Sequence, residues 1–160
     1  MIVEFATLGP LGKKMRAPGT WGSAVGLLWW ILVVRQIATP KGWRHELAFD
    51  LLVVLAAIFI CGAAAAMLKK KDPSEIILDE FVAMPLVFLF NPHLFLGTKV
   101  GFLMVILGFL LFRLFDIMKP FGIRYLEGAP SGFGIVLDDV MAAFYANLVL
   151  QAIGLLLALG

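Results

Sequence analysis

The chain has 160 residues, of which 62% are hydrophobic and only 15% charged, and its mean hydropathy is +0.99. Soluble domains run at about 45–50% apolar and about 25% charged. The composition therefore excludes an ordinary soluble fold and points to one integral membrane domain over residues 1–160. A formal net charge of +2 is too small to suggest a nucleic-acid partner, and a single cysteine, Cys61, excludes an intrachain disulfide.

Residues 1–20 carry Gly9, Pro10, Gly12, Pro18 and Gly19 and read as a loop with a short interfacial helix. The basic cluster Lys13, Lys14 and Arg16 comes late, and no removable signal peptide is expected. A spanning helix needs about 20 mostly apolar residues. Five segments qualify: 21–38, 47–68 (closed by Lys69, Lys70 and Lys71), 75–96 (interrupted by Pro85 and Asn91-Pro92), 99–117 (stopped by Pro120) and 136–159. Residues 118–134, with two prolines and four glycines, read as a structured loop. The expected architecture is an all-α membrane helix bundle.

Cytoplasmic loops collect Lys and Arg. With the N-terminus inside, nine cations gather on the inner side (Lys13, Lys14, Arg16, Lys69, Lys70, Lys71, Arg113, Lys119, Arg124) and four on the outer (Arg35, Lys41, Arg44, Lys99). The same topology places Asp72, Glu75, Asp79, Glu80, Asp116, Glu127, Asp138 and Asp139 at that inner face, and the two histidines, His45 and His93, in outer loops. A carboxylate at the bilayer centre is costly. The adjacent Asp138 and Asp139 are therefore expected near the inner interface, where a cation can meet them.

Four stretches could carry chemistry. In KKKDPSEIILDE (69–80), Asp72 and Pro73 suit a helix cap and first turn, and Glu75 and Asp79 then share a face. An acidic first turn accounts for Asp72 and Glu75 but poorly for Asp79 and Glu80, which follow three apolar residues. In RLFDIMKP (113–120), Arg113, Asp116 and Lys119 recur at i+3 as one polar stripe. In PSGFGIVLDDV (130–140), Gly132 and Gly134 allow close backbone approach, and the aspartate pair fits a hard divalent cation such as Mg²⁺, which takes carboxylate oxygens together with water and phosphate. In RAPGTWGS (16–23), Thr20 or Ser23 can cap the first spanning helix and offer a phosphate site at its start. Carboxylates with Mg²⁺, flanked by Arg and Lys, suit a phosphate ester. A site at the inner interface of a helix bundle suits a lipid whose headgroup lies there.

These four blocks, in this order, resemble the phosphatidylglycerophosphatase A family of bacteria: APGT-x-GS at Ala17–Ser23, DP…DE at Asp72, Pro73, Asp79 and Glu80, R-x-FDI-x-KP at Arg113–Pro120, and a glycine-rich loop with GI-x-x-DD at Gly132–Asp139. Ala83, Gly122, Ser131 and Val136 depart from the common pattern, and none removes a charge. The resemblance implies a Mg²⁺-dependent hydrolase of phosphatidylglycerophosphate in the bacterial cytoplasmic membrane, multi-pass, built around a central helix, with N-terminus and site on the cytoplasmic side. On this reading Glu75, Asp79, Glu80, Asp138 and Asp139 hold the metal. Arg113, Lys119, Arg124, Thr20 and Ser23 bind substrate. A Mg²⁺-activated water attacks phosphorus, with Asp116 joining the catalytic carboxylates.

Other readings fare less well. The spaced DG…AR…G…D…D pattern of CDP-alcohol phosphotransferases is absent, and no histidine follows the PSG at 130–132 as in histidine-dependent lipid phosphatases. The alternative from another class is a small cation-coupled transporter. It would want polar groups near mid-bilayer, where only Asp50, Asn147 and Gln151 are candidates.

Overall fold

The computed structural model describes residues 1–91, 98–120, 122–126 and 128–159, and every regular element among them is helical. His93, Glu127 and the end of the 75–96 segment lie outside the described residues. Two short helices, α1 (Ile2–Ala6) and α2 (Pro10–Lys14), open the chain. The helix α3 (Pro18–Trp29) runs through a π-helical turn (Trp30–Val34) into α4 (Arg35–Ile37). Then come α5 (Trp43–Leu68), α6 (Leu78–Ala83) with a 3₁₀ turn (Met84–Phe88), α7 (Lys99–Met118), α8 (Ile123–Leu126) and α9 (Gly132–Leu159).

Four stretches are long and apolar enough to cross a membrane: Pro18–Lys41, Trp43–Leu68, Lys99–Met118 and Gly132–Leu157. Their outward faces carry large apolar side chains such as Leu52, Phe59, Leu103 and Leu156, each more than 60% exposed. In a bilayer such faces meet acyl chains, so their exposure is the expected state of a membrane helix.

The third apolar segment is not a fifth long helix. It is a short α6 and a 3₁₀ turn, buried at Leu78, Val82, Ala83, Met84, Pro85, Val87 and Phe88. Pro85 lacks the N–H that would continue the α-helix. Beyond the turn, the Phe90 ring meets Trp43, the first residue of α5, in a tilted contact with centroids 5.3 Å apart. The segment's carbonyls need partners where no water reaches. Asn147 of α9 lies among them, its Nδ2 at 3.2, 2.9 and 2.6 Å from the carbonyls of Leu86, Val87 and Leu89, which share its two N–H groups.

The central helix is α9, which packs on α5, α6, α7 and α8. Its inner face is small: Ala142, Ala143 and Ala146 are fully buried, so neighbouring helices approach closely. It begins at Gly132, not near 136, so both glycines of GFG fall in its first turn. Gly132 lies against α5, where a Cβ would run into the Ile58 carbonyl. That glycine serves helix packing rather than ligand approach.

Two further local expectations are corrected. Neither Thr20 nor Ser23 caps α3. The cap is Ala17, in the left-handed region at φ 53°, with Pro18 opening the helix. Nor do Asp72 and Pro73 begin a helix: residues 72–77 are irregular and α6 starts at Leu78. The N-terminal segment is what holds them so. The Ile77 N–H donates to the Ala6 carbonyl at 3.0 Å, and Gly12 packs on the Glu75 backbone with no room for a Cβ. Glu75 and Asp79 therefore do not share a helix face.

Candidate active site

At the end of the bundle where α3, α6, α7 and α9 converge, an open cavity of about 280 Å³ is lined by Asp79, Glu80, Arg113, Asp116, Lys119, Asp138 and Asp139. The first two sit in the first turn of α6, Arg113 and Asp116 one turn apart on α7, and the aspartate pair in the second turn of α9. Lys119 ends α7 in a left-handed conformation, φ 45°, which turns it off the Arg113–Asp116 stripe. The irregular 72–77 stretch adds Asp72, Ser74 and Ile76 to the wall, and the start of α3 adds Pro18 and Gly19.

The charges fall into two sets. Asp79, Glu80 and Asp139 bring one oxygen each to within 4.8 Å of one another. Asp79 Oδ1 and Glu80 Oε2 are buried and accept no hydrogen bond. Three carboxylates this close repel unless a cation or proton lies between them. The second set is paired: Arg113 Nη1 lies 2.5 Å from Asp116 Oδ2 and 3.3 Å from Ser23 Oγ, and Lys119 Nζ lies 2.8 Å from Asp138 Oδ2. Arg113 also reaches Glu80 Oε1 at 3.9 Å, while its Nε is buried and donates to nothing. Ser23 is fixed in turn by donating to the Gly19 carbonyl at 2.8 Å.

The donor set fits Mg²⁺. It is all hard carboxylate oxygen, it is crowded, and two of its oxygens are buried without a partner. Other residues expected at the site lie elsewhere. Glu75 points to Lys70 at 2.6 Å, whose ammonium holds the Glu75 carboxyl below its ordinary range. Thr20 is exposed, and Arg124 is exposed on α8; neither lines the cavity. Sequence reasoning missed Gly19 as a site residue. A Cβ there would run into Glu80 Oε1 and come within 3.2 Å of Arg113 Nη1. The glycine of APGT was the available signal.

Fold and cavity together define a helical membrane protein with a carboxylate-rich site at one end of its bundle. The chain belongs to the phosphatidylglycerophosphatase A family, whose model matches residues 4–154. It is 38% identical over 138 residues to a phosphatidylglycerophosphatase A of Haemophilus influenzae, covering 86% of this chain and 78% of that protein. It is 28% identical over 144 residues to the Escherichia coli protein of the same name, covering 89% and 77%. A putative phosphatidylinositol-3-phosphatase of Bacteroides thetaiotaomicron is 32% identical over 133 residues, covering 81% and 79%. No solved structure matches the chain.

Proposed function

We propose that this chain removes the terminal phosphate of phosphatidylglycerophosphate, leaving phosphatidylglycerol, at the cytoplasmic face of the membrane. Family membership supports the reaction. The observation that carries it at the level of chemistry is the cavity itself, where a crowded carboxylate triad faces two cations held by their own carboxylates.

Asp79, Glu80 and Asp139 would hold Mg²⁺. When bound, that ion supplies charge neutralisation and acidifies water. Arg113 and Lys119 bind the phosphoryl oxygens, a role suited to a guanidinium fork and an ammonium. Ser23 and Asp116 both hold Nη1 of the Arg113 guanidinium, while its buried Nε has no partner. Water adds its oxygen to phosphorus, the bond from phosphorus to the glycerol oxygen breaks, and the leaving alkoxide takes a proton. A carboxylate of the site accepts the proton that water gives up and returns it to that alkoxide.

The name of the Bacteroides relative points to another lipid that carries a phosphomonoester on a headgroup joined to diacylglycerol by a phosphodiester. Substrate choice is therefore the informative test. Phosphate release is measured from phosphatidylglycerophosphate, phosphatidylinositol 3-phosphate and phosphatidate in mixed micelles. The proposal expects phosphatidylglycerophosphate to have the highest kcat/KM. A preference for the inositol lipid, or no release from any of them, contradicts it.

A further inference from the structure

The sequence reads Asp138 and Asp139 alike, as two metal ligands. Their surroundings differ. Asp139 joins the crowded triad with Asp79 and Glu80. Asp138 has both oxygens engaged: Oδ2 takes the Lys119 ammonium at 2.8 Å and Oδ1 the backbone N–H of Asp139 at 3.1 Å. Asp116 is placed like Asp138, one oxygen on Arg113 at 2.5 Å. Neither Asp116 nor Asp138 belongs to the triad.

We infer that the aspartate pair divides its labour, Asp139 serving the metal and Asp138 serving as a positioning residue that aims Lys119 at the phosphoryl group. This rests on the phosphatase reading above and deepens it. The backbone explains the need for such a residue. Lys119 sits in a left-handed conformation that a side chain rarely adopts, and only about a quarter of it is exposed. A long flexible cation at the mouth of a cavity loses rotamer freedom when it is aimed. A carboxylate fixed by its own helix, with its second oxygen on the adjacent backbone N–H, aims it in advance. Asp116 does the same for Arg113 from one turn away. The arrangement also sorts charge. Each positioned cation already has its own carboxylate before substrate arrives, so the crowded triad, which shares only Arg113 at 3.9 Å from Glu80, is left for a divalent cation to meet.

The test separates metal from phosphate. Mn²⁺ binding to detergent-solubilised wild type, Asp138→Asn, Asp139→Asn and Lys119→Gln is followed by the loss of free-ion paramagnetic resonance signal, a readout that needs no turnover. Inhibition by inorganic phosphate and KM for phosphatidylglycerophosphate are measured on the same preparations. Asp138→Asn and Lys119→Gln should each bind Mn²⁺ within about twofold of wild type and raise the phosphate inhibition constant and KM about tenfold, the scale of one hydrogen bond to a charged group. Asp138→Asn/Lys119→Gln should be no worse than either single variant, because both remove one interaction. Asp139→Asn should weaken Mn²⁺ binding more than tenfold, as loss of a ligand would. Equal loss of Mn²⁺ affinity in Asp138→Asn and Asp139→Asn would overturn the division, as would independent, multiplying effects in the double variant. If Asp138→Asn does not fold, Asp138→Glu, which keeps the charge but moves it by one methylene, takes its place: unchanged Mn²⁺ affinity with weakened phosphate inhibition supports the division, and loss of Mn²⁺ affinity overturns it. If wild type binds Mn²⁺ but hydrolyses no lipid, the phosphatase reading fails, while the Mn²⁺ comparison still decides which aspartate serves the metal.

Discussion

Gly19 and Gly132 show how one residue type does two jobs. At Gly19 the obstacle to a Cβ is the tip of the Glu80 side chain, which can swing aside. Gly19→Ala should therefore leave the fold nearly intact but displace a carboxylate of the triad, lowering kcat/KM at least tenfold with little change in thermal stability. At Gly132 the obstacle is the Ile58 backbone carbonyl, which cannot move without parting α5 from α9. Gly132→Ala should cost about 1–3 kcal/mol or more of stability, the usual range for overpacking. A thermal melt in detergent checks both. Most charged residues that line the cavity stood out at this scale because acids and bases inside apolar runs have few other uses; Asp72 did not, since it reads as a helix cap, and Glu75 and Arg124 were expected there but do not line it. The unequal environments of Asp138 and Asp139 were not legible. They depend on a left-handed turn at Lys119, a residue type that carries no signal for such a backbone.

Among the elements, the buried α6 with its 3₁₀ turn is the one whose form was least legible. Its apolar composition matches a spanning helix, and Pro85 and Asn91 signal only an interruption. What permits a short, irregular segment there is Asn147, sixty residues away, whose two N–H groups three of the segment's carbonyls share. Asn147 reads in sequence as a lone mid-helix polar group, and Gln151 as another; Gln151 in fact donates to Asn147 Oδ1. Asn147→Leu should strand buried carbonyls at about 1–3 kcal/mol for each group left unpaired. It should lower the melting temperature in detergent and loosen the α6 end of the cavity. A variant that melts like wild type would show that those carbonyls find other partners. The loop at 72–77 is similar in kind. Its Asp-Pro reads as a helix start, and a backbone bond from Ile77 to the N-terminal segment prevents one.

For the molecule as a whole, the four long apolar helices and the gathering of charge at one end were legible from hydropathy and charge bias, since both follow from the bilayer as solvent. The side that faces the cytoplasm rests on the count of cations. It can be read directly because Cys61 is fully buried and should not react with a membrane-impermeant maleimide. Lys41→Cys, exposed at the end opposite the site, should label in intact spheroplasts, and Lys14→Cys only after permeabilisation. The reverse pattern would place the site on the outer face.

The central claim is that the carboxylate triad holds a divalent cation with which the chain hydrolyses a lipid phosphate. Its most direct measurement is phosphate release from phosphatidylglycerophosphate micelles by wild type and Asp139→Asn, each with Mg²⁺ and with EDTA. Wild type should release phosphate in a reaction that EDTA abolishes and Mg²⁺ restores, and a folded Asp139→Asn protein should release it at least about a hundredfold more slowly. Undiminished release in EDTA, or an Asp139→Asn variant as active as wild type, would contradict it.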